Sequence, residues 1–243
     1  MPFLDYEGLQ HYDEKLKDYM GTEFVAQEEG KGLSKNDFTD EYKKMIDDLA
    51  YVKIAVNTMS ATNSSNEIGA TVTATNVTWT LNKTPKTQKI KFGNEAEETL
   101  GADVRSKSYS GKTITANTTI TLTVTDERDA VVTKSVTISF QPKVYWGVST
   151  ETTLDSAGIL GLASSALASS KARTFTVNAG SGEYIYYVIP SSFGTPTFNV
   201  GGFDGGFSKV ATVSHQNASG HTQNYDVWRS VNPSLGNTSV TVK

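Results

Sequence analysis

The sequence predicts a mainly β protein led by a helical, coiled-coil stalk: residues 1–65 form the stalk, 66–142 a β-sandwich and 143–243 a further β-rich module. Three observations predict it. Apolar residues recur at steps of three and four as far as Met59, the spacing of one helix face. From Ile68 the period drops to two, as in strands with one buried face. Threonine and valine dominate these runs, and turn-forming residues interrupt them at hairpin spacing.

The first helix is expected over Leu4 to Met20, where Leu9, Tyr12, Leu16 and Tyr19 share a face and Asp5 can act as N-cap. A glycine-bearing connector, Gly21 to Gly32, leads to a second helix capped by Thr39, with Asp40 and Glu41 placed against the helix dipole. Tyr42, Met45, Leu49, Val52, Val56 and Met59 then step by three and four alternately, the heptad seam of a coiled coil. Such a stripe can dock on the chain's own β module or on copies of itself. The polar linker Ser60 to Asn66 spaces the helix from the β-sandwich and favours self-association.

In the second module Val77, Trp79 and Leu81 alternate with threonine, as do Ile120, Leu122 and Val124, while Ile90 and Phe92 alternate with lysine and Val136, Ile138 and Phe140 repeat the pattern. Asn82-Lys83-Thr84-Pro85, Ser110-Gly111 and Asp126 to Asp129 supply the turns. The size and strand spacing fit an immunoglobulin-like sandwich with Trp79 as its central filler. The third module opens near Val144. A short helix is expected to put Leu154, Ile159, Leu162 and Leu167 on one face with Thr153 or Asp155 as cap. Strands are expected at Thr174 to Val177, Tyr184 to Ile189, Lys209 to Val213, Tyr225 to Val231 and Ser239 to Val242, with turns at Gly180-Ser181-Gly182 and Asn217 to Gly220.

Composition narrows function. The net charge is -4 and basic residues are scattered, so no field for a phosphate backbone exists and nucleic acid is not expected as a partner. No cysteine is present, which removes disulfides, thiolate metal sites and thiol nucleophiles. No run of apolar residues suits a membrane span, and Met1 to Asp5 lack the positive region of a secretory signal, so neither membrane insertion nor secretion is expected.

The motifs of catalysis are missing. Gly-x-Ser-x-Gly, Ser-x-x-Lys, the Walker loop and HExxH do not occur, so no catalytic residue, cofactor or metal is assigned. Glu97-Glu98, Asp126-Glu127 and Asp47-Asp48 are carboxylate pairs, but Asp126 to Asp129 reads as a charged hairpin tip and Asp47-Asp48 as a solvent face. His215 and His221 flank the Asn217 to Gly220 turn, either as a pair across a hairpin or as exposed polar residues. The most unusual stretch is Gly201-Gly202-Phe203-Asp204-Gly205-Gly206-Phe207. Phe203 and Phe207 with Tyr184, Tyr186 and Tyr187 either form an exposed aromatic platform for a glycan, or fill a core whose corners the glycines shape.

Several segments resemble virion structural proteins of tailed bacteriophages. Phe3-Leu4-Asp5 and its helix resemble the head of many fibre and baseplate proteins, and Lys31 to Thr39 followed by a heptad helix is similar to their "GLSxNDFT" stalk element. Thr78 to Pro85 and Leu122 to Arg128 resemble the Ig-like module of phage structural proteins, and Tyr186 to Pro190 with Gly201-Gly202-Phe203 are similar to runs common in them. The resemblance implies a non-enzymatic virion component, a homotrimer assembled in the bacterial cytoplasm. Its N-terminal region would engage other virion proteins, and its distal modules would face host cell-surface polysaccharide. The alternatives are a spacer or capsid fibre that binds no receptor, and a depolymerase, which needs converging carboxylates.

Overall fold

Among the described residues strands take up 48% and helices 16%, so the fold is mainly β, with these strands arranged in four sheets. The structure, a computed structural model, describes residues 6–23 and 40–243. Met1–Lys53 and Ile54–Lys243 are two separate compact units.

The first unit holds α1 (Tyr6–Glu23) and α2 (Asp40–Ala50). Leu9, Tyr12, Leu16 and Tyr19 lie along α1 at the expected spacing, and all four are exposed. The expected caps Asp5 and Thr39, the connector beyond Glu23 and the Lys31 to Thr39 motif lie outside the described residues.

The heptad seam is corrected by the structure. α2 is 11 residues long, so only Tyr42, Met45 and Leu49 of the six seam residues are helical, and the described residues contain no long coiled-coil stalk. Val52 is exposed in the segment after α2, whereas Val56 and Met59 belong to β1 (Val56–Ala61) and pack on the first sandwich core. Burial decides against the helix. Ile54 and Val56 each gain about 1.5–3 kcal/mol by entering a core, more than one further residue of isolated helix returns. A bulge between Val56 and Thr58 turns Val56 and Met59 to the same side of the strand, so a spacing of three survives without a helix.

β2 (Ser65–Glu67), β3 (Thr75–Leu81), β4 (Thr87–Phe92), β5 (Glu98–Leu100), β6 (Ser106–Tyr109), β7 (Thr118–Thr125) and β8 (Val131–Gln141) complete this sandwich. One sheet runs β1-β3-β6 and the other β2-β8-β7-β4-β5, with β2 parallel to β8. The stretch read as a polar linker, Ser60 to Asn66, is therefore the end of β1, a turn at Asn63 (φ 56°) and the start of β2. Its hydroxyls face outward, where Ser60 meets Thr78. Ile90, Ile120, Leu122, Val124 and Ile138 fill the core around Trp79, whose Nε1 donates to the buried Gln88 at 3.3 Å. Asp126 is not an exposed hairpin tip: it is buried and accepts from the amides of Arg128 and Ala130 at 3.0 Å each, and from that of Ile54 at 3.2 Å.

Pro142 alone separates β8 from β9 (Lys143–Ser149), the first strand of the second sandwich. Then come α3 (Ser156–Leu160), β10 (Ser164–Leu167), β11 (Arg173–Ala179), β12 (Tyr184–Pro190), β13 (Phe198–Val200), β14 (Phe203–Asp204), β15 (Phe207–Gln216), β16 (Thr222–Ser230) and β17 (Gly236–Val242). The sheets are β10-β9-β12-β16-β15 and β11-β17-β13-β14. α3 is shorter than its apolar spacing suggests, because Gly158 and Gly161 weaken the helix; Asp155 caps it, and Leu167 lies in β10 instead.

Side chains tie the two sandwiches together. Glu67 pairs with Lys143 at 3.0 Å and lies 3.4 Å from Tyr145 Oη, and Asn217 Nδ2 donates to the Ile68 carbonyl at 2.7 Å. Gly69, at φ 92°, packs against His221, and a Cβ there would lie 2.6 Å from the His221 Cβ. Gly69→Ala is expected to destabilise the protein by about 2 kcal/mol or more, roughly 4–8 °C in Tm by calorimetry.

Candidate functional site

β12 has both faces covered. Ile185, Tyr187 and Ile189 enter the core between the two sheets, while Tyr186 and Val188 enter a second cluster with Leu154 and Ile159. Tyr186 and Tyr187 are fully buried, their hydroxyls donating to the carbonyls of Glu151 at 2.5 Å and Lys171 at 2.7 Å. Burial raises the Tyr187 hydroxyl to about 12, against the lowering effect of Arg173. Tyr184 is half-buried beneath the Arg229 guanidinium at 4.1 Å. The five aromatics therefore do not form one platform. Only Phe203 and Phe207 belong to the glycine-rich tip.

A cleft of about 470 Å³ opens beside that tip. Phe207 stacks on Phe198 with centroids 4.2 Å apart and planes 6° apart, and Trp228 lies 5.6 Å from Phe198. These rings line the cleft, and Asn199, Asp204 and Lys243 supply polar edges. Asn199 Nδ2 donates to Asp204 Oδ1 at 2.8 Å. Gly201 and Gly202 precede Phe203-Asp204, and Gly205 and Gly206 succeed it, all with φ between 56° and 102°, a backbone that L side chains rarely adopt. The tip is nonetheless anchored, because Gly205 N donates to the Phe198 carbonyl at 2.8 Å and Val231 N to the Gly206 carbonyl at 2.9 Å. Phe203 projects from it, 81% exposed.

Sequence reasoning missed Phe198, Asn199 and Trp228 as cleft residues. Their strand alternation marks a buried face, but not that the face emerges at an opening. The Trp228 Nε1 is buried without a hydrogen-bond partner.

The histidines do not oppose each other. His215 pairs with Gln223 in the β15–β16 register and is fully buried, with Nδ1 3.0 Å from Ser156 Oγ and Nε2 3.3 Å from Tyr145 Oη. Tyr145 Oη donates to Glu67, which leaves it to accept from Nε2–H, and Ser156 Oγ, which accepts from Gln216 N, then donates to Nδ1. Among the described residues no three His, Asp or Glu side chains are grouped to hold a metal, and no helix is long and apolar enough to cross a membrane.

No protein-family model and no curated protein matches the chain. Among solved structures, a chitinase from Bacillus thuringiensis aligns over 77% of this chain and 26% of its own, at 12% identity and a TM-score of 0.26. That overlap is too low to define a shared fold.

Two outcomes are expected. Burial holds the His215 imidazole below its ordinary value, outweighing Ser156 and Glu67, so the unfolded chain takes the proton first and stability is lost as pH falls through about 6.5; chemical denaturation at pH 7.5 and 5.5 checks this, and His215→Gln should flatten the slope. Phe198→Ala should cost about 3–5 kcal/mol in the same assay, whereas the exposed Asp204→Ala should stay within about 0.5 kcal/mol.

Proposed function

We propose that this chain is a non-enzymatic structural component of a tailed-phage virion, a tail-fibre or baseplate protein that self-associates as a homotrimer through its N-terminal helices and contributes to host attachment. The observation that carries this reading is a contrast between the units. The β modules bury most of their large apolar residues in three clusters, leaving only scattered ones such as Phe203 and Val131 exposed, while the helices leave Leu9, Tyr12, Leu16, Tyr19, Tyr42, Met45 and Leu49 exposed. A helix with an uncovered apolar face gains most of its stability once another surface covers it.

The sequence resemblance supplies the virion context, and the first sandwich supports it. β2 paired parallel with β8, the last strand of that sandwich, in a sheet facing β1-β3-β6, is a strand order that fits the immunoglobulin-like reading. One carboxylate, Asp204, lines the cleft, which suits binding better than the paired acid and base of a glycosidase. A spacer role is the second reading, favoured by the single residue Pro142 between the sandwiches and the Glu67 to Lys143 pair that bridges them.

Self-association is tested on the full chain by multi-angle light scattering. The wild type is expected at three times the monomer mass and Leu16→Asp/Leu49→Asp at the monomer mass, with unchanged β circular dichroism. A monomeric wild type would overturn the reading.

A further inference from the structure

We propose that the cleft beside the glycine-rich tip binds a neutral saccharide, one pyranose ring lying across Phe207 while a pair of its hydroxyls donates to Asp204 and Asn199. Such a site rests on the attachment reading and gives it a ligand class. Three features of the cleft converge on it.

Phe207 lies flat on Phe198, so the core holds its ring in one orientation, and both rings line the cleft. The apolar face of a pyranose matches such a surface. Beside it, the Asn199 amide donates to Asp204 Oδ1, which orients both side chains and leaves the Asn199 carbonyl oxygen and Asp204 Oδ2 as acceptors. Acceptors side by side call for hydroxyl donors. An acidic sugar at this point would set a second carboxylate against Asp204, so the ligand is neutral there.

A peptide fits less well. Its usual means of binding a sheet is to add a strand through free backbone groups. Here Thr197 N and O are already paired with Lys243 O and N at 2.8 and 3.0 Å, and Gly205 N with Phe198 O at 2.8 Å. The volume, about 470 Å³, suits a few sugar units. Repetition in an assembled particle would then raise avidity without a deeper pocket.

The test uses the full chain with maltohexaose, cellohexaose and a β-1,3-glucan hexamer, and with a galacturonate hexamer as the acidic comparator. Binding is read by isothermal titration calorimetry and by saturation-transfer NMR. At least one neutral hexamer should bind and the acidic one should bind at least tenfold more weakly. Asp204→Ala should weaken the neutral ligand about tenfold, and Phe207→Ala, checked for folding by circular dichroism, should abolish the saturation transfer. Absence of binding by every neutral hexamer, equal binding of the acidic one, or binding indifferent to Asp204→Ala would overturn the proposal. Protease-sensitive binding to host wall material would assign the cleft to a protein and overturn it as well. Failure here with a trimer still seen by light scattering removes the saccharide site alone and leaves the assembly reading standing.

Discussion

The second sandwich depends on the burial of β12 from both sides. Its sequence, Tyr184-Ile185-Tyr186-Tyr187-Val188-Ile189-Pro190, is apolar at every position because its side chains meet a core on either face. Toward the four-stranded sheet, Phe175 and Phe198 pack on Tyr187 and carry the aromatic contacts on to Phe207 and Trp228. Toward the other side, Tyr186 and Val188 join Tyr145 and Tyr225 of the neighbouring strands β9 and β16 in a cluster with Ile159 of α3. The cleft and the contact with the first sandwich thus stand on opposite faces of one sheet.

The edge strand β15 can present Phe207 at one end and His215 at the other because β16 holds it in register over most of its length, apart from the bulge between Lys209 and Ala211. At the His215 end, the chain of hydrogen bonds from Ser156 through His215 and Tyr145 reaches Glu67 of the first sandwich. A buried polar chain of this kind stabilises when every member is satisfied and costs heavily when one is lost. The joint between the sandwiches is therefore specified by side-chain chemistry as well as by the short connection at Pro142.

The helical unit works by a different logic. Short amphipathic helices hold little stability of their own, and their apolar residues remain exposed in the single chain. Ile54 and Val56, next along the chain, are buried in the first sandwich. The transition from helix to strand is set by which of these residues a core can reach.

The strands of the first sandwich are legible by themselves: Ile90 and Phe92, or Ile120, Leu122 and Val124, alternate because one face is buried and the other wet. The turns at Gly180 to Gly182 and Asn217 to Gly220 are equally local, set by residues that tolerate tight backbone. Tertiary structure alone decides the rest. A bulge makes Val56 and Met59 imitate a helical seam, and burial on both faces erases the period of β12, so Tyr186 and Tyr187 read as free to bind although they are core. The cleft joins residues from β13, β14, β15, β16 and β17, brought together by strand pairing between positions far apart in the chain. Local sequence records the solvent exposure of a face; it holds no record of which distant strand will cover that face or where the covering ends.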